Sequence, residues 1–364
     1  MKQSNVLFEV KNGVGWIKLN RPKALNALSV EMIHAIYNQL KEWKDDEKVA
    51  FICLIGEGDK ALCAGGDVRA LYDHRESNVE ELAFDFFFTE YCMNIIMHLY
   101  NKPILVLMHG IVMGGGVGIA IPGTHRIVTE KTKWAMPEMN IGLYPDVGGS
   151  YFLSRMPGYV GRYLALTSRT INPADVIYIG AADYYMESDK WQDVKNAIYE
   201  RVWTSESAAR ELSNLFDEYC EKSLPDAPIA SIEEKINKHF AYNTMEEIVS
   251  SLEEAGKEGD SWAADTAKLI RTKSPTSLKV TLKQLIEGKE KSLIDCFKME
   301  LNMSMNFMKC HDFFEGVRSV LVDKDRNPKW NPSSLEGVKK EVVDAFFEYD
   351  WKNEKNPLED FEIK

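Results

Sequence analysis

The amino-acid sequence predicts an α/β fold with a helical C-terminal half. Within the first 200 residues, short and continuously apolar segments that are typical of buried strands alternate with segments of helical period. From about residue 201 the strand-like patterns disappear and helical patterns dominate. We therefore expect a sheet-containing core in residues 1–200 and a helical region in residues 201–364 that covers it.

The individual elements follow from local patterns. Residues 7–19 alternate between apolar and polar side chains around Asn12-Gly13, which predicts a β-hairpin. Ser29 is placed to cap a helix whose apolar residues follow the helical period, and residues 49–55 read as a buried strand. In the C-terminal half, residues 293–317 predict one long helix rich in Met and Phe.

The composition excludes several classes of protein. The chain has 364 residues, of which 45% are hydrophobic, and a net charge of −12. It can therefore bury a large core, and it should not be a general nucleic-acid binder. No apolar run reaches the length of a membrane span, so we expect no membrane partner. The first residues show neither a secretory nor an Arg-rich amphipathic leader, from which we expect a cytoplasmic location.

The six cysteines indicate neither a disulfide framework nor a metal site. They are scattered, without a Cys-x-x-Cys pair or a histidine at ligand spacing. We expect reduced thiols that pack in the core, and no metal ion. Cys63 and His109 are a candidate nucleophile and base, but no third orienting residue has a recognisable spacing. A buried thiol and a turn histidine are the favoured interpretation.

The glycine run Gly114-Gly115-Gly116 is the first candidate binding element. It follows the strand-like residues 103–108 and begins a helix-like segment. Three glycines cost helix propensity, and in return a ligand atom can approach bare backbone N–H groups. No glycine stands where a G-x-G-x-x-G dinucleotide motif needs its third one, and no Walker lysine follows. A tight strand-to-helix turn with close packing stays open as the alternative.

Two downstream carboxylates are the second candidate element. Glu138 and Asp146 lie eight residues apart in a loop rich in Pro and Gly. The segment around Glu138 is so apolar that an acid there is paired, protonated or functional. Asp146 has an alternative role as the cap of a helix that begins at Val147 or Gly148. Backbone donors and paired acids together predict a site that stabilises a negative oxygen and handles protons or water.

Several motifs resemble those of the crotonase (enoyl-CoA hydratase/isomerase) superfamily, and most closely those of its 3-hydroxyisobutyryl-CoA hydrolase family. The resemblance covers nearly the whole chain, weakens between residues 185 and 260, and implies a crotonase-type ββα spiral core that binds acyl-CoA in residues 1–200. The superfamily motifs are Asn26-Ala27-Leu28, Ala64-Gly65-Gly66-Asp67 and His109-Gly110 with Gly114-Gly115-Gly116. The motifs at the level of the hydrolase family are residues 113–118, 135–138, 142–149, 151–153, 274–279, 311–318, 323–325 and 328–330.

The resemblance also implies which residues form the site. The backbone N–H groups of Gly66 and Gly115 would hold the thioester oxygen, and Glu138 and Asp146 would be the catalytic acids. Hydratases of the superfamily generally carry a second glutamate where this chain has Gly118, and often glycine where it has Asp146. This swap favours hydrolysis over hydration. The substrate-binding residues would be Ala27, Ala64, Gly65, Glu90 and Gly114, with Ala64 and Gly65 at the adenine.

The implied reaction is hydrolysis of a short 3-hydroxyacyl-CoA thioester, with 3-hydroxyisobutyryl-CoA giving 3-hydroxyisobutyrate and CoA in valine breakdown. No cofactor is expected, because CoA is part of the substrate. Glu138 would either activate water or attack the carbonyl carbon to give a mixed anhydride. The alternatives are an enoyl-CoA hydratase or isomerase on the same fold and a non-catalytic CoA-binding member.

The phosphates of CoA require local cations in a chain whose net charge is −12. The candidates are Arg21, Lys23, Arg69 and Lys324, which the sequence does not rank. Superfamily members commonly form trimers or hexamers, so the resemblance allows a homo-oligomer. A helical half that covers such an interface would instead leave a monomer or a dimer.

Overall fold

The computed structural model describes residues 4–221, 224, 226–352, 354–359 and 361. Within them the chain forms a mixed α/β fold, which confirms the predicted fold class. The strands are β1 (Val6–Lys11), β2 (Val14–Leu19), β3 (Phe51–Gly56), β4 (Ala61–Cys63), β5 (Ile104–Met108), β6 (Ile111–Met113), β7 (His125–Val128), β8 (Lys133–Ala135) and β9 (Tyr184–Tyr185).

Beyond residue 186 the described part of the chain contains helices, turns and loops, and no strand. The division into two regions at residue 200 stays a prediction. The helices are α1 (Val30–Lys44), α2 (Arg69–Asp73), α3 (Val79–His98), α4 (Gly115–Ala120), α5 (Gly149–Phe152), α6 (Val160–Thr167), α7 (Pro173–Tyr178), α8 (Trp191–Glu200), α9 (Ala208–Tyr219), α10 (Pro228–Phe240), α11 (Met245–Lys257), α12 (Ser261–Ile270), α13 (Pro275–Gly288), α14 (Leu293–Phe307), α15 (His311–Val317) and α16 (Lys340–Ala345).

The strands form two sheets. A six-stranded sheet has the order β1-β2-β3-β5-β7-β9, and a three-stranded sheet has the order β4-β6-β8. Only the pair of β1 and β2 is antiparallel among the described strands. Asn12 and Gly13 join this pair at φ angles of 51° and 88°, the left-handed values of a two-residue hairpin turn, so the predicted hairpin is confirmed.

The three-stranded sheet places the predicted site segments together. All its strands are parallel, so their carboxyl ends lie at one edge. At that edge β4 leads into Ala64–Gly66, β6 into the glycine run, and β8 into a 3-10 helix, Glu138–Ile141. Segments about 25 to 70 residues apart in sequence therefore meet at one point because of strand alignment.

The C-terminal helices differ from the prediction in one respect. The single helix predicted for residues 293–317 is two helices, α14 and α15, separated by a turn in which the N–H groups of Lys309 and Cys310 donate to backbone carbonyls three residues earlier. The turn allows Asp312, at the start of α15, to be buried. Its carboxylate accepts hydrogen bonds from the hydroxyl of Ser274 at 2.5 Å and from the N–H of Asn331 at 2.8 Å. These distant partners, which the helical period does not encode, explain the break.

Helix α15 packs directly on the 3-10 helix that carries Glu138. The contact depends on Gly316, because a methyl group at this position would overlap the backbone of Ile141. The backbone of α15 therefore packs directly against the backbone of the segment that carries Glu138.

Among the described helices, none has both the length and the apolar character that crossing a membrane requires. All six cysteines are free thiols, and Cys53, Cys63, Cys92 and Cys296 are buried.

We expect Gly316→Ala to lower the free energy of unfolding by about 1–3 kcal/mol, because the added methyl group forces two backbone segments apart. Urea denaturation monitored by circular dichroism measures the loss. Gly256→Ala is the matched control: its methyl group would meet Ala264 at 3.0 Å without overlapping the backbone, so a smaller loss is expected. Equal midpoints for the two variants would contradict the predicted contact.

Candidate active site

A cavity of about 590 Å³ opens at the carboxyl edge of β4, β6 and β8. Its walls also include residues from α3 and from the segment that follows α15. The structure brings all nine predicted site residues to this cavity, while their chemical roles stay predictions. The nine are Ala27, Ala64, Gly65, Gly66, Glu90, Gly114, Gly115, Glu138 and Asp146.

Two backbone N–H groups lie close together in the cavity wall. A Cβ atom placed on Gly115 would be 3.2 Å from the backbone nitrogen of Gly66. The bridge between Leu28 and Gly66 uses the N–H groups of Leu28 and Asp67, so the N–H of Gly66 takes no part in it. The N–H of Gly115 belongs to the first turn of α4, where no carbonyl of the helix can accept it.

The glycine run serves both the cavity and the packing of the fold. A Cβ atom at Gly114 would lie 2.7 Å from Oε1 of Glu138, and one at Gly115 would lie 2.7 Å from Oε1 of Glu90. Gly114 also has a φ of 52°, which favours glycine. At Gly116, in contrast, a Cβ atom would overlap the carbonyl group of Cys63. The first two glycines admit carboxylates to the cavity, and the third allows close packing.

Three carboxyl groups are buried in this cavity. Glu90, Glu138 and Asp146 are only 2%, 6% and 5% exposed. Oε1 of Glu90 and Oε2 of Glu138 have no hydrogen-bond partner among the described residues. Asp146 differs, since its Oδ2 accepts a hydrogen bond of 2.9 Å from the hydroxyl of Tyr91. Of the three acids, Asp146 thus has a polar partner that stabilises its anion.

The environment orders the ionisation of these acids. Burial, and secondly the charge of Asp146, raise the pKa of Glu138 and of Glu90 well above the usual range. Burial raises the pKa of Asp146 to about 6, while the hydrogen bond from Tyr91 opposes the rise. Asp146 therefore ionises before the two glutamates, as expected when like charges share a site of low dielectric.

The structure rejects the alternative in which Asp146 caps a helix. The N-cap of α5 is Gly148, and the carboxylate of Asp146 points to Tyr91 instead. Val147 between them has a φ of 49°, a left-handed value that is strained for a β-branched residue by about 1–3 kcal/mol. Its side chain fills the space beside Gly118, where a Cβ atom would lie 2.5 Å from that of Val147.

Sequence reasoning missed the group of polar residues behind Asp146. The hydroxyls of Tyr91 and Tyr144 each lie 2.7 Å from Oγ of Ser304 on α14, and 3.3 Å from each other. Tyr144 also donates to the backbone carbonyl of Glu300 at 2.6 Å. The available signal was the pair Glu300 and Ser304, two polar residues one helical turn apart on the mainly apolar face of α14.

Glu300 anchors the loop that carries Asp146. It is fully buried, and its two carboxylate oxygens accept hydrogen bonds of 2.8 Å from the backbone N–H groups of Gly148 and Ser150. Burial raises the pKa of Glu300 to about 8 despite these donors. A helix more than 140 residues away in sequence therefore fixes the loop that carries Asp146.

The candidate cations separate into two groups. Lys23, Arg69 and Lys324 line the cavity, and neither lysine has a hydrogen bond or ion pair with any described residue. Arg21 does not line it: its guanidinium donates to the carbonyl of Ala27 at 2.7 Å and to Asp67 at 3.0 Å. Backbone and carboxylate acceptors already hold the Arg21 guanidinium in place, so the cavity wall favours Lys23, Arg69 and Lys324, and the phosphate-binding role of each cation stays a prediction.

The structure also distinguishes the two interpretations of Cys63 and His109. Burial raises the pKa of the Cys63 thiol to about 12, which disfavours a thiolate. His109 contacts Asp59 at 2.9 Å and Thr129 at 3.0 Å. The structure thus agrees with a buried thiol and a turn histidine. The described residues hold no cluster of three or more histidine, cysteine, aspartate or glutamate side chains arranged for a metal ion.

A second groove, of about 860 Å³, lies between α13 and α16. Its lysines are already paired, Lys279 with Glu246 at 2.5 Å and Lys283 with Asp344 at 2.6 Å. The smaller cavity at the sheet edge, with its uncompensated acids, is the better candidate for chemistry.

The family model described as enoyl-CoA hydratase/isomerase matches residues 14–347. The chain belongs to the enoyl-CoA hydratase/isomerase family. It is 44% identical to a mitochondrial 3-hydroxyisobutyryl-CoA hydrolase of Danio rerio, covering 94% of this chain and 89% of the relative. It is 42% identical to the enzyme of that name from Homo sapiens, covering 94% of this chain and 88% of the relative.

A solved structure of a protein named carnitinyl-CoA dehydratase, from Mycobacterium thermoresistibile, has a TM-score of 0.88 at 37% identity, covering 95% of this chain and 97% of that one. The resemblance inferred from the motifs, including the crotonase fold, is confirmed.

The expected cytoplasmic location is wrong by this comparison, because both curated relatives of this family member are named as mitochondrial. The expectation rested on the first residues of the chain. A targeting leader is recognised and removed separately from the packed domain, so the residues that form the fold carry no record of the compartment.

We expect Glu300→Ala to lower the free energy of unfolding by about 2–4 kcal/mol, because it leaves two buried N–H groups without acceptors. The change is measured by urea denaturation. Glu290→Ala, which removes an exposed carboxylate in the turn between α13 and α14, should change stability by less than about 0.5 kcal/mol. If both variants unfold at the same urea concentration, Glu300 does not anchor the loop.

Proposed function

We propose that this protein hydrolyses the thioester of 3-hydroxyisobutyryl-CoA to 3-hydroxyisobutyrate and free CoA. The observation that carries the proposal is the placement of Glu138 and Asp146 in one buried cavity with the bare amides of Gly66 and Gly115. The identity of 44% to a hydrolase of that name, over nearly the whole chain, supports the same substrate. As the resemblance implies, the reaction belongs to valine breakdown.

The first step is polarisation of the thioester. Its carbonyl oxygen accepts hydrogen bonds from the N–H groups of Gly66 and Gly115, which stabilise the negative charge that develops when the carbonyl carbon is attacked. Each such donor contributes roughly 3 kcal/mol at the transition state. Glycine at both positions allows the carbonyl group to come within hydrogen-bond distance of the backbone.

The second step depends on the carboxylate of Glu138. In one route it removes a proton from a water molecule whose oxygen attacks the carbonyl carbon. In the other it attacks the carbon itself, and water then cleaves the mixed anhydride. In both routes the C–S bond breaks and CoA leaves as a thiolate that is then protonated. Both begin from ionised Glu138, whose reactivity increases because the buried carboxylate is poorly solvated.

The two other acids bind the acyl group. Asp146, held by Tyr91, positions the 3-hydroxyl group or the water molecule and exchanges a proton with Glu138. Glu90 contacts the end of the acyl chain. Ala27, Ala64, Gly65 and Gly114 form the wall along which the rest of the substrate lies. All reacting groups belong to the chain or to water, so we expect dialysis against a chelator to leave the rate unchanged.

Glu138→Gln should reduce thiol release from 3-hydroxyisobutyryl-CoA by about 10³-fold or more, because the amide can neither take a proton nor attack the carbonyl. A chromogenic thiol reagent measures the rate. The dissociation constant of the CoA thioester should change less than about threefold, since the amide keeps the shape of the side chain. Glu47→Gln, at an exposed position, is the control. More than a tenth of wild-type turnover in Glu138→Gln would refute the role of this residue.

Lys324→Glu should raise KM for the CoA thioester by about tenfold, because a lysine at the cavity wall attracts the phosphates of CoA. KM for the matching pantetheine thioester, which lacks the nucleotide phosphates, should change less than twofold. Lys48→Glu, an exposed lysine outside the cavity wall, controls for the change in net charge. An equal effect on both thioesters would remove Lys324 from the phosphate site.

The likeness to a protein named as a dehydratase favours a second candidate, hydration or dehydration of an enoyl-CoA. Hydration is disfavoured because the second glutamate that hydratases generally carry has no room at position 118, where the side chain of Val147 fills the space. Assays of thiol release and of crotonyl-CoA hydration on the same preparation separate these activities. Tight CoA binding without either activity would instead indicate a non-catalytic member.

A further inference from the structure

Three buried hydroxyl groups connect Asp146 to helix α14. We call Tyr91, Ser304 and Tyr144 the hydroxyl chain. The hydroxyl of Ser304 lies 2.7 Å from each tyrosine hydroxyl. Tyr91 contacts Oδ2 of Asp146 at 2.9 Å, and Tyr144 contacts the backbone carbonyl of Glu300 at 2.6 Å. The three residues of the chain are fully buried and lie outside the cavity wall.

When Asp146 is ionised, every hydroxyl proton of the hydroxyl chain can be assigned an acceptor. A backbone carbonyl only accepts, so the proton of Tyr144 must point to Glu300. A carboxylate also only accepts, so the proton of Tyr91 must point to Asp146. Ser304 then donates to one of the two tyrosine oxygens. Each of the three hydroxyl protons has an acceptor.

A second arrangement is equally complete when Asp146 is protonated. The carboxyl group then donates to the oxygen of Tyr91, and Tyr91 donates to Ser304. Ser304 donates to Tyr144, which still donates to the carbonyl of Glu300. The oxygen atoms stay where they are, and only hydroxyl protons rotate. The hydroxyl chain therefore fits both protonation states of Asp146, and neither leaves a buried donor without a partner.

We propose that the hydroxyl chain lets Asp146 take up the proton of Glu138 without moving, so that Glu138 becomes the reactive anion. This rests on the proposed function. The O–H bond of Glu138 breaks and an O–H bond of Asp146 forms, so the net charge of the cavity is unchanged. No proton passes along the chain. Tyr91, Ser304 and Tyr144 are positioning residues, since they touch Asp146 or one another and lie outside the cavity wall.

In the described part of the chain, the surroundings of Asp146 offer no charged group that could replace Tyr91 as its hydrogen-bond donor. No lysine or arginine among the described residues donates to its carboxylate, so Tyr91 is the side chain that stabilises the anion. Burial keeps the pKa of the neighbouring His98 low, at about 4, so it brings no positive charge near neutral pH. The other titratable groups around Asp146 are Glu90 on α3, Glu138 on the 3-10 helix, Tyr144 on its own loop and Glu300 on α14.

Carbon-13 NMR of protein labelled at the aspartate carboxyl groups tests the chain without any assay of activity. Asp146→Asn identifies the resonance of Asp146. In Tyr91→Phe its titration midpoint should move up by about one pH unit, because the carboxylate loses its donor. Tyr163→Phe, which removes another buried tyrosine hydroxyl outside the cavity wall, should leave the midpoint in place. An unchanged midpoint in Tyr91→Phe would overturn the proposal.

Kinetics provide the second measurement. Tyr91→Phe should lower kcat by about tenfold while KM changes less than threefold, because Tyr91 lies outside the cavity wall. Ser304→Ala should lower kcat in the same way, since it leaves Tyr91 only the 3.3 Å contact to Tyr144 when Asp146 is protonated. A loss confined to KM, or wild-type kcat in both variants, would overturn the proposal. If the wild-type protein releases no thiol, the proposed function is contradicted. The NMR midpoint of Asp146 still tests the role of the hydroxyl chain, because that measurement does not depend on activity.

Discussion

The parallel alignment of three short strands is the constraint on which the site depends. β4, β6 and β8 end at one edge, and there Gly66, Gly115 and Glu138 line one cavity. The strands are only three residues long, so they fix positions without filling the space beyond them. Because Gly114 and Gly115 have no Cβ atom, the carboxylates of Glu138 and Glu90 can lie so close to the backbone that an added methyl group would overlap them.

The three buried acids form no ion pair with any described residue, and this has an energetic consequence. Each charge placed in this cavity makes the next one more costly, so ionisation is shared and not independent. The fold compensates with a neutral group, because a tyrosine hydroxyl stabilises the anion of Asp146. The C-terminal helices supply the supporting contacts, through Glu300 and Ser304 of α14 and through Gly316 of α15.

The parts of the site that sequence could predict are those encoded by short segments. The hairpin at Asn12-Gly13, the glycine run and the apolar setting of Glu138 are local patterns, and local patterns together with one resemblance located the cavity. The residues that were missed act over long sequence distances. Ser304 lies 213 residues from Tyr91, and nothing in the period of α14 shows that two of its polar side chains face a loop and not solvent. Distant partners also explain two further features that local patterns did not predict. The guanidinium of Arg21 is hydrogen-bonded to Asp67, and the predicted helix of residues 293–317 is interrupted after Phe307.

The strained Val147 and the side-chain-free Gly118 interlock, and this has an evolutionary consequence. Position 118 cannot acquire a large residue while Val147 keeps its present side chain and conformation. A route from this chemistry to one that needs an acid at position 118 must therefore change both sites together or pass through a poorly packed intermediate. Such epistasis isolates the two chemistries from each other, although they share one backbone.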